Sequence, residues 1–152
     1  MHVLDEFDKK LLQLLQRNNQ LSFDQLGAEV GLSASAARRR VKALRDVGII
    51  AQDVSIVDPS ALGITVIVSI RFEKESPDTY EQFKRAMAAD PCIAQCYTVS
   101  GDVDFILIGH FSSLKDYDQW VNDKLLTNHA IARSTTNVVY RRVKFSTAVS
   151  VS

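Results

Sequence analysis

Only two residues, Gly31 and Leu32, separate two stretches that each carry a full set of helix signals. The first opens with Ser22-Phe23-Asp24-Gln25, an S-x-x-Q capping box that satisfies the free N–H groups of a helix start. Phe23, Leu26 and Val30 mark its core side, and Gly31 is a glycine placed to stop it. Ser33 then caps a second helix, with Ala37, Val41 and Leu44 as its apolar stripe and Gly48 as its end. A helix precedes the pair: Phe7, Leu11, Leu14 and Leu15 recur at i, i+4, i+7 and i+8. Asp5, Glu6 and Asp8 occupy its first turn, where the helix dipole favours acids. Two helices joined by a tight glycine-containing turn, the later one basic, have helix-turn-helix organisation.

The charge supports the same reading. The 18 Lys and Arg residues of the 152-residue chain balance 18 Asp and Glu, so net charge points to no nucleic-acid partner. Yet Arg38, Arg39, Arg40, Lys42 and Arg45 fall between Ser33 and Arg45 with no acid among them. On a helical wheel with Ala37, Val41 and Leu44 inward, Ser35, Arg39 and Lys42 point outward. Arg38 and Arg45 flank one side, Ala36 and Arg40 the other. Small residues at Ala34, Ser35, Ala36 and Ala37 let the helix start approach a groove closely. Arginine reads guanine with two parallel hydrogen bonds, and serine contacts bases or phosphate. The expected DNA-contacting set is Ser33, Ser35, Arg38, Arg39, Arg40, Lys42 and Arg45. Ser35, Arg38 and Arg39 are expected near base edges, Arg40, Lys42 and Arg45 nearer phosphate. On charge alone, a solvated helix face is the alternative.

Residues 49–57 are β-prone with partial alternation and predict the strand of a wing. This gives a winged helix-turn-helix DNA-binding domain over 1–57 and a linker over 58–64, punctuated by Asp58-Pro59 and Gly63. An oligomerisation domain over 65–152 follows. Ile64 to Phe72 predicts a strand, and Ser76-Pro77-Asp78 starts a helix whose buried face is Tyr80, Phe83 and Met87. Ile93 to Ser100 and Asp104 to Phe111 predict two strands around a Gly101-Asp102 turn. Leu114, Tyr117, Val121 and Leu125 predict a helix. A last strand is expected within 131–146, clearest at Val138-Val139-Tyr140 and Val143. The order βαββαβ is ferredoxin-like, so the fold class is α+β, a winged helix-turn-helix followed by a ferredoxin-like domain. One face of such a sheet lacks helices, which predicts a homodimer that covers it and pairs two recognition helices on a two-fold operator.

Other functions find little support. Cys92 and Cys96, on one strand, are too far apart to bridge and read as reduced thiols. With His2, His110 and His129 they form no metal-site pattern, so no metal or cofactor is expected. No apolar run approaches the roughly 18 residues of a membrane span, and a cytoplasmic protein is expected. No nucleophile–base pair or paired carboxylates suggest catalysis.

The chain resembles the Lrp/AsnC family of transcription regulators over nearly its whole length. The resemblance rests on Leu4-Asp5-x-x-Asp8-x-x-Leu11-Leu12, Val30-Gly31-Leu32-Ser33 and Arg39-Arg40-Val41-Lys42-x-Leu44-x-x-x-Gly48-Ile49-Ile50. It continues through Asp58-Pro59-x-x-Leu62-Gly63, Ser100-Gly101-Asp102-x-Asp104, Thr136 and Val143-Lys144. It implies dimers on double-stranded operator DNA that assemble further, as far as octamers, with an amino-acid effector bound between subunits. The implied effector site is Ser100, Gly101, Asp102, Val103 and Asp104 with Thr136, Asn137 and Val138. There, turn N–H groups would hold a carboxylate and an Asp, with Asp104 the expected one, the ammonium. Read without the resemblance, Gly101-Asp102 is a hairpin turn. The chain departs from the family pattern at Val103, where an aromatic is common, and at Asn128-His129-Ala130, where Pro-Gly is common. Arg45 replaces a common acid. Haem-pathway decarboxylases share the two-domain plan but rely on His and Tyr motifs, and the matching Ile93-Ala94-Gln95-Cys96-Tyr97 has no histidine. A DNA-binding architectural protein without an effector is the other alternative.

Overall fold

Asp5, Ser22 and Ser33 each start a helix by accepting a hydrogen bond from the backbone N–H three residues on. They open α1 (Glu6–Leu15), α2 (Phe23–Val30) and α3 (Ala34–Asp46). The first two caps are reciprocal boxes, completed by Asp8 and Gln25. These features come from a computed structural model that describes residues 3–74 and 76–151. Leu11, Leu26, Val30, Ala37 and Val41 close a small core between the three helices. Burial of each large aliphatic side chain contributes about 1.5–3 kcal/mol. Gly31 stops α2 in the left-handed conformation, φ 78°. Gly27 matters for another reason: a Cβ there would lie 2.4 Å from the Leu32 carbonyl oxygen. The turn into α3 therefore rests directly on the α2 backbone.

The expected wing strand over 49–57 does not form. The N–H groups of Ile49 and Ile50 both turn back to the Leu44 carbonyl and finish α3. Residues 51–58 adopt no regular structure and pair with no strand. β propensity needs a neighbouring strand to become structure, and Val54, Ile56 and Val57 stay exposed.

The second compact unit runs from Val57 to Val143. It contains β1 (Ile64–Phe72), α4 (Pro77–Ala88), β2 (Ile93–Thr98), β3 (Phe105–Phe111), α5 (Leu114–Val121) and β4 (Ile131–Val138). A π turn, Asn122–Leu126, extends α5. The strand order is β2-β3-β1-β4 with every neighbouring pair antiparallel, which is the expected βαββαβ arrangement. Alternation puts Val66, Val68, Ile70 and Phe72 of β1 and Phe105, Leu107 and Phe111 of β3 on one face. There they pack with Phe83 and Met87 of α4 and Tyr117 and Trp120 of α5. Trp120 also donates its indole N–H to Asp90, at 2.7 Å. The opposite face presents Ile67, Ile106, Ile108 and Tyr97.

The last strand ends earlier than its composition suggests. Val138 pairs with Val66, and the Val139 N–H reaches the Thr65 carbonyl. β1 begins at Ile64, so residues 140–143 have no β1 strand opposite them to extend the ladder. By its contacts the segment from Lys144 on groups with the first unit, which otherwise ends at Ile56.

Candidate nucleic-acid interface

The short Gly31-Leu32 link leaves α3 with its stripe of Ala37, Val41 and Leu44 buried and its other faces toward solvent. The basic residues differ sharply in what holds them. Arg39 is exposed and has no recorded hydrogen bond, ion pair or ring contact among the described residues. Arg38 is exposed with its guanidinium carbon 5.1 Å from the Phe23 ring centroid. That cation–π contact holds the guanidinium beside the α2 ring without using any of its N–H groups in a hydrogen bond. Lys42 pairs with Asp46 one turn on, at 2.8 Å. Arg45 holds Asp53 through Nε at 2.9 Å and Nη2 at 3.2 Å. Ser33 accepts the Ala36 N–H, and its hydroxyl lies 3.2 Å from that of Ser35.

Arg40 stands apart from the rest. Its Nη1 lies 2.7 Å from Asp5 Oδ2 and 2.9 Å from Asp8 Oδ1, and its guanidinium sits over Phe7. The hydrogen bond to Asp8, then that to Asp5, raises the arginine's already high pKa further. Asp5 is pulled below the usual carboxylate value, first by the Asp8 backbone N–H and then by Arg40. Arg40 thus ties α3 to the start of α1. Asp8 as an anchor is not legible in the sequence: the only signal is the D-x-x-D box, and nothing in the sequence joins that box to a residue 32 positions away.

The Gly101 turn shows a similar division. Gly101 has φ 124°, and a Cβ there would meet nothing within 4 Å. Asp102 is exposed. Asp104, by contrast, has both oxygens engaged inside the unit: Oδ2 accepts the Phe72 N–H at 2.7 Å, and Oδ1 accepts the Tyr80 hydroxyl at 2.6 Å. Its own N–H donates to Ile70. Thr136, Asn137 and Val138 lie on β4, where Thr136 pairs with Val68 and Val138 with Val66. Relative to Ile70 they are about 7 to 14 Å along the strands, at roughly 3.4 Å per residue. Thr136 and Tyr117 are joined through their hydroxyls. Within one chain the two halves of the expected effector site therefore stand apart.

Other chemistry has little to work with. Among the described residues no group of three or more His, Cys, Asp or Glu could hold a metal ion. Cys92 and Cys96 are free. Burial, with Asp90 second, pushes the Cys92 thiol up, and burial does the same to Cys96, the opposite of an activated nucleophile. No helix among the described residues is long and apolar enough to cross a membrane.

Comparison with known proteins adds independent findings. Residues 4–45 match the model of the AsnC-type helix-turn-helix domain, and residues 65–149 that of the Lrp/AsnC ligand binding domain. An uncharacterized HTH-type transcriptional regulator of Sinorhizobium fredii is 39% identical, over 97% of this chain and 89% of its own length. The leucine-responsive regulatory protein of Haemophilus influenzae is 34% identical, over 93% of this chain and 86% of its own. A transcriptional regulator of Neisseria meningitidis, solved in complex with L-Met, superposes with a TM-score of 0.90 at 29% identity, covering 97% and 96% of the two chains.

Proposed function

The chain belongs to the Lrp/AsnC family of DNA-binding transcription regulators, and on that premise we propose that it reads operator DNA with the outer face of α3 and responds to an amino acid held at the Gly101 turn. The observation that carries the DNA reading is the contrast between Arg39, exposed and unengaged among the described residues, and Arg40, committed to Asp5 and Asp8. In this reading Arg39, with Ser35 and Arg38 beside the Phe23 ring, meets base edges. The pairs of Lys42 and Arg45 are exposed, weak and exchangeable for phosphate contacts, and Ser33 sets the helix start against the backbone. Arg40 keeps α3 in place.

The ligand reading rests on the family and on the turn. The L-Met complex of the Neisseria regulator supports an amino acid as the ligand class. Backbone N–H groups from Ser100 to Val103 suit a carboxylate; with both Asp104 oxygens engaged by Phe72 and Tyr80, exposed Asp102 replaces the expected Asp104 as the partner for an ammonium. Asp104 acts as the clasp that shapes the turn. Thr136, Asn137 and Val138, remote in one chain, would come from a second copy. A homodimer also accounts for the apolar sheet face of Ile67, Ile106, Ile108 and Tyr97; assembly beyond it, as far as octamers, is read by light scattering.

The test is anisotropy with DNA from upstream of the protein's own gene, at two salt concentrations, with and without each amino acid. Competitor-resistant binding altered by one amino acid is the expected result. Binding to that DNA no tighter than to random competitor would overturn the operator reading, and specific binding indifferent to every amino acid would overturn the effector reading alone.

A further inference from the structure

Gln16, at the C-terminal end of α1, makes two hydrogen bonds to one residue of the chain's far end. Its Nε2 donates to the Val149 carbonyl at 3.1 Å, and its Oε1 accepts the Val149 N–H at 2.7 Å. One turn earlier, Gln13 Nε2 donates to the Val151 carbonyl at 3.3 Å. We propose that Gln13 and Gln16 form a backbone-reading site for an extended peptide, and that the chain's own C-terminal tail occupies it as a releasable strap.

The chemistry is that of a strand edge borrowed by side chains. A glutamine amide offers one acceptor and two donors in a plane, so it can satisfy both main-chain groups of one residue as a neighbouring strand would. Residues i and i+2 of an extended segment present their groups along the same edge, as Val149 and Val151 do here. Residues i and i+3 of a helix share a face, as Gln13 and Gln16 do. Val149 as a residue is 70% exposed, and what Gln16 engages is its main chain. The tail has no regular structure of its own from Lys144 to Val151; Ala148 N–H to Ser146 Oγ, at 3.2 Å, is a local tie.

The strap has a consequence for connectivity. The chain leaves the first unit at Ile56 and returns to it at Lys144. With the tail docked, the segment 57–143 is tied to the first unit at both of its ends; with the tail released, at one. Neutral, exposed hydrogen bonds each contribute little net stability, so the strap opens and closes readily and is within reach of regulation.

Amide hydrogen exchange of the full-length protein tests this, followed in the peptide that contains Val149. The variants are Gln16→Ala and Gln16→Met, which remove the clamp and keep a good helix former, and Val149→Thr, which keeps the reporting N–H. The expected result is roughly tenfold faster exchange of the residue 149 amide in Gln16→Ala and Gln16→Met, wild-type exchange in Val149→Thr, and unchanged exchange in α1 and α3. Equal exchange of that amide in wild type and in both Gln16 variants would overturn the proposal. Tail protection that disappears as the protein is diluted to monomers would place the tail on a second copy and overturn the assignment to its own chain.

Discussion

Arg40 of α3 reaches Asp8 of α1, with Nη1 2.9 Å from Oδ1, and Asp8 is only 6% exposed. A residue on the most basic helix of the chain thus works for the fold. Arg40→Ala is predicted to destabilise the first unit by about 1–3 kcal/mol, because it strands a buried carboxylate. Urea unfolding followed by circular dichroism measures this. A change within about 0.5 kcal/mol, the range of ordinary surface substitutions, would show that the pair contributes nothing.

Gly27→Ala is predicted to destabilise the helix-turn-helix even though alanine is the better helix former. The added Cβ would stand 2.4 Å from the Leu32 carbonyl and 3.2 Å from the Ser33 carbonyl carbon. Overpacking of that kind costs about 1–3 kcal/mol, against a propensity gain of about 1 kcal/mol. The loss should appear as a lower thermal midpoint with weakened DNA binding. A midpoint equal to or above wild type would mean that the turn has room.

Stability is predicted to fall with pH in two steps. Burial, with Arg142 second, lowers the His110 pKa below its ordinary 6.5. The unfolded chain then takes up that proton first, so stability present above about pH 6.5 declines as pH falls toward the folded value. Asp5 is also depressed, as are Asp58, first by the Ser60 hydroxyl, and Asp116, first by the Ser112 hydroxyl. Their contribution is complete above the ordinary carboxyl value of 3.8 and is lost as pH falls through the lower folded values. Thermal midpoints from pH 8 to pH 3 check this. His110→Gln should remove the upper step and leave the lower; an unchanged upper step in that variant would refute the assignment.

Asp104→Ala and Asp102→Ala are predicted to separate. The first strands the Phe72 N–H and the Tyr80 hydroxyl, costing about 1–3 kcal/mol of stability. The second touches an exposed carboxylate and should leave stability within about 0.5 kcal/mol while abolishing any amino-acid-induced thermal shift. A full shift in folded Asp102→Ala would remove Asp102 from the ligand site.

Local signals carried the parts of the fold that local physics decides. Ser22, Gly31 and Ser33 announced the helix-turn-helix because caps and stops act within a turn, and the β1 and β3 alternation announced the sheet. The wing failed because the fate of residues 49–57 depends on a strand partner that no local pattern supplies. The end of β4 failed for the same reason, since β1 runs out at Ile64. The basic residues of α3 looked alike in the sequence. Only long-range contacts separate Arg40, bound to Asp5 and Asp8, from Arg39. Asp104 likewise reads as a free carboxylate until Phe72 and Tyr80 are brought to it. Gln13 and Gln16 gave no signal, because their partners are main-chain groups more than 130 residues away.

If the outer face of α3 reads DNA through Arg39, operator binding by Arg39→Ala exposes it. Anisotropy with the upstream DNA and with random DNA, at two salt concentrations, should show a loss of about 1–3 kcal/mol on the operator with wild-type unfolding behaviour. The loss should be larger on the operator than on random DNA, since a base contact carries specificity and a phosphate contact does not. Operator binding by the folded variant equal to wild type at both salts would remove Arg39, and with it the outer face of α3, from DNA reading.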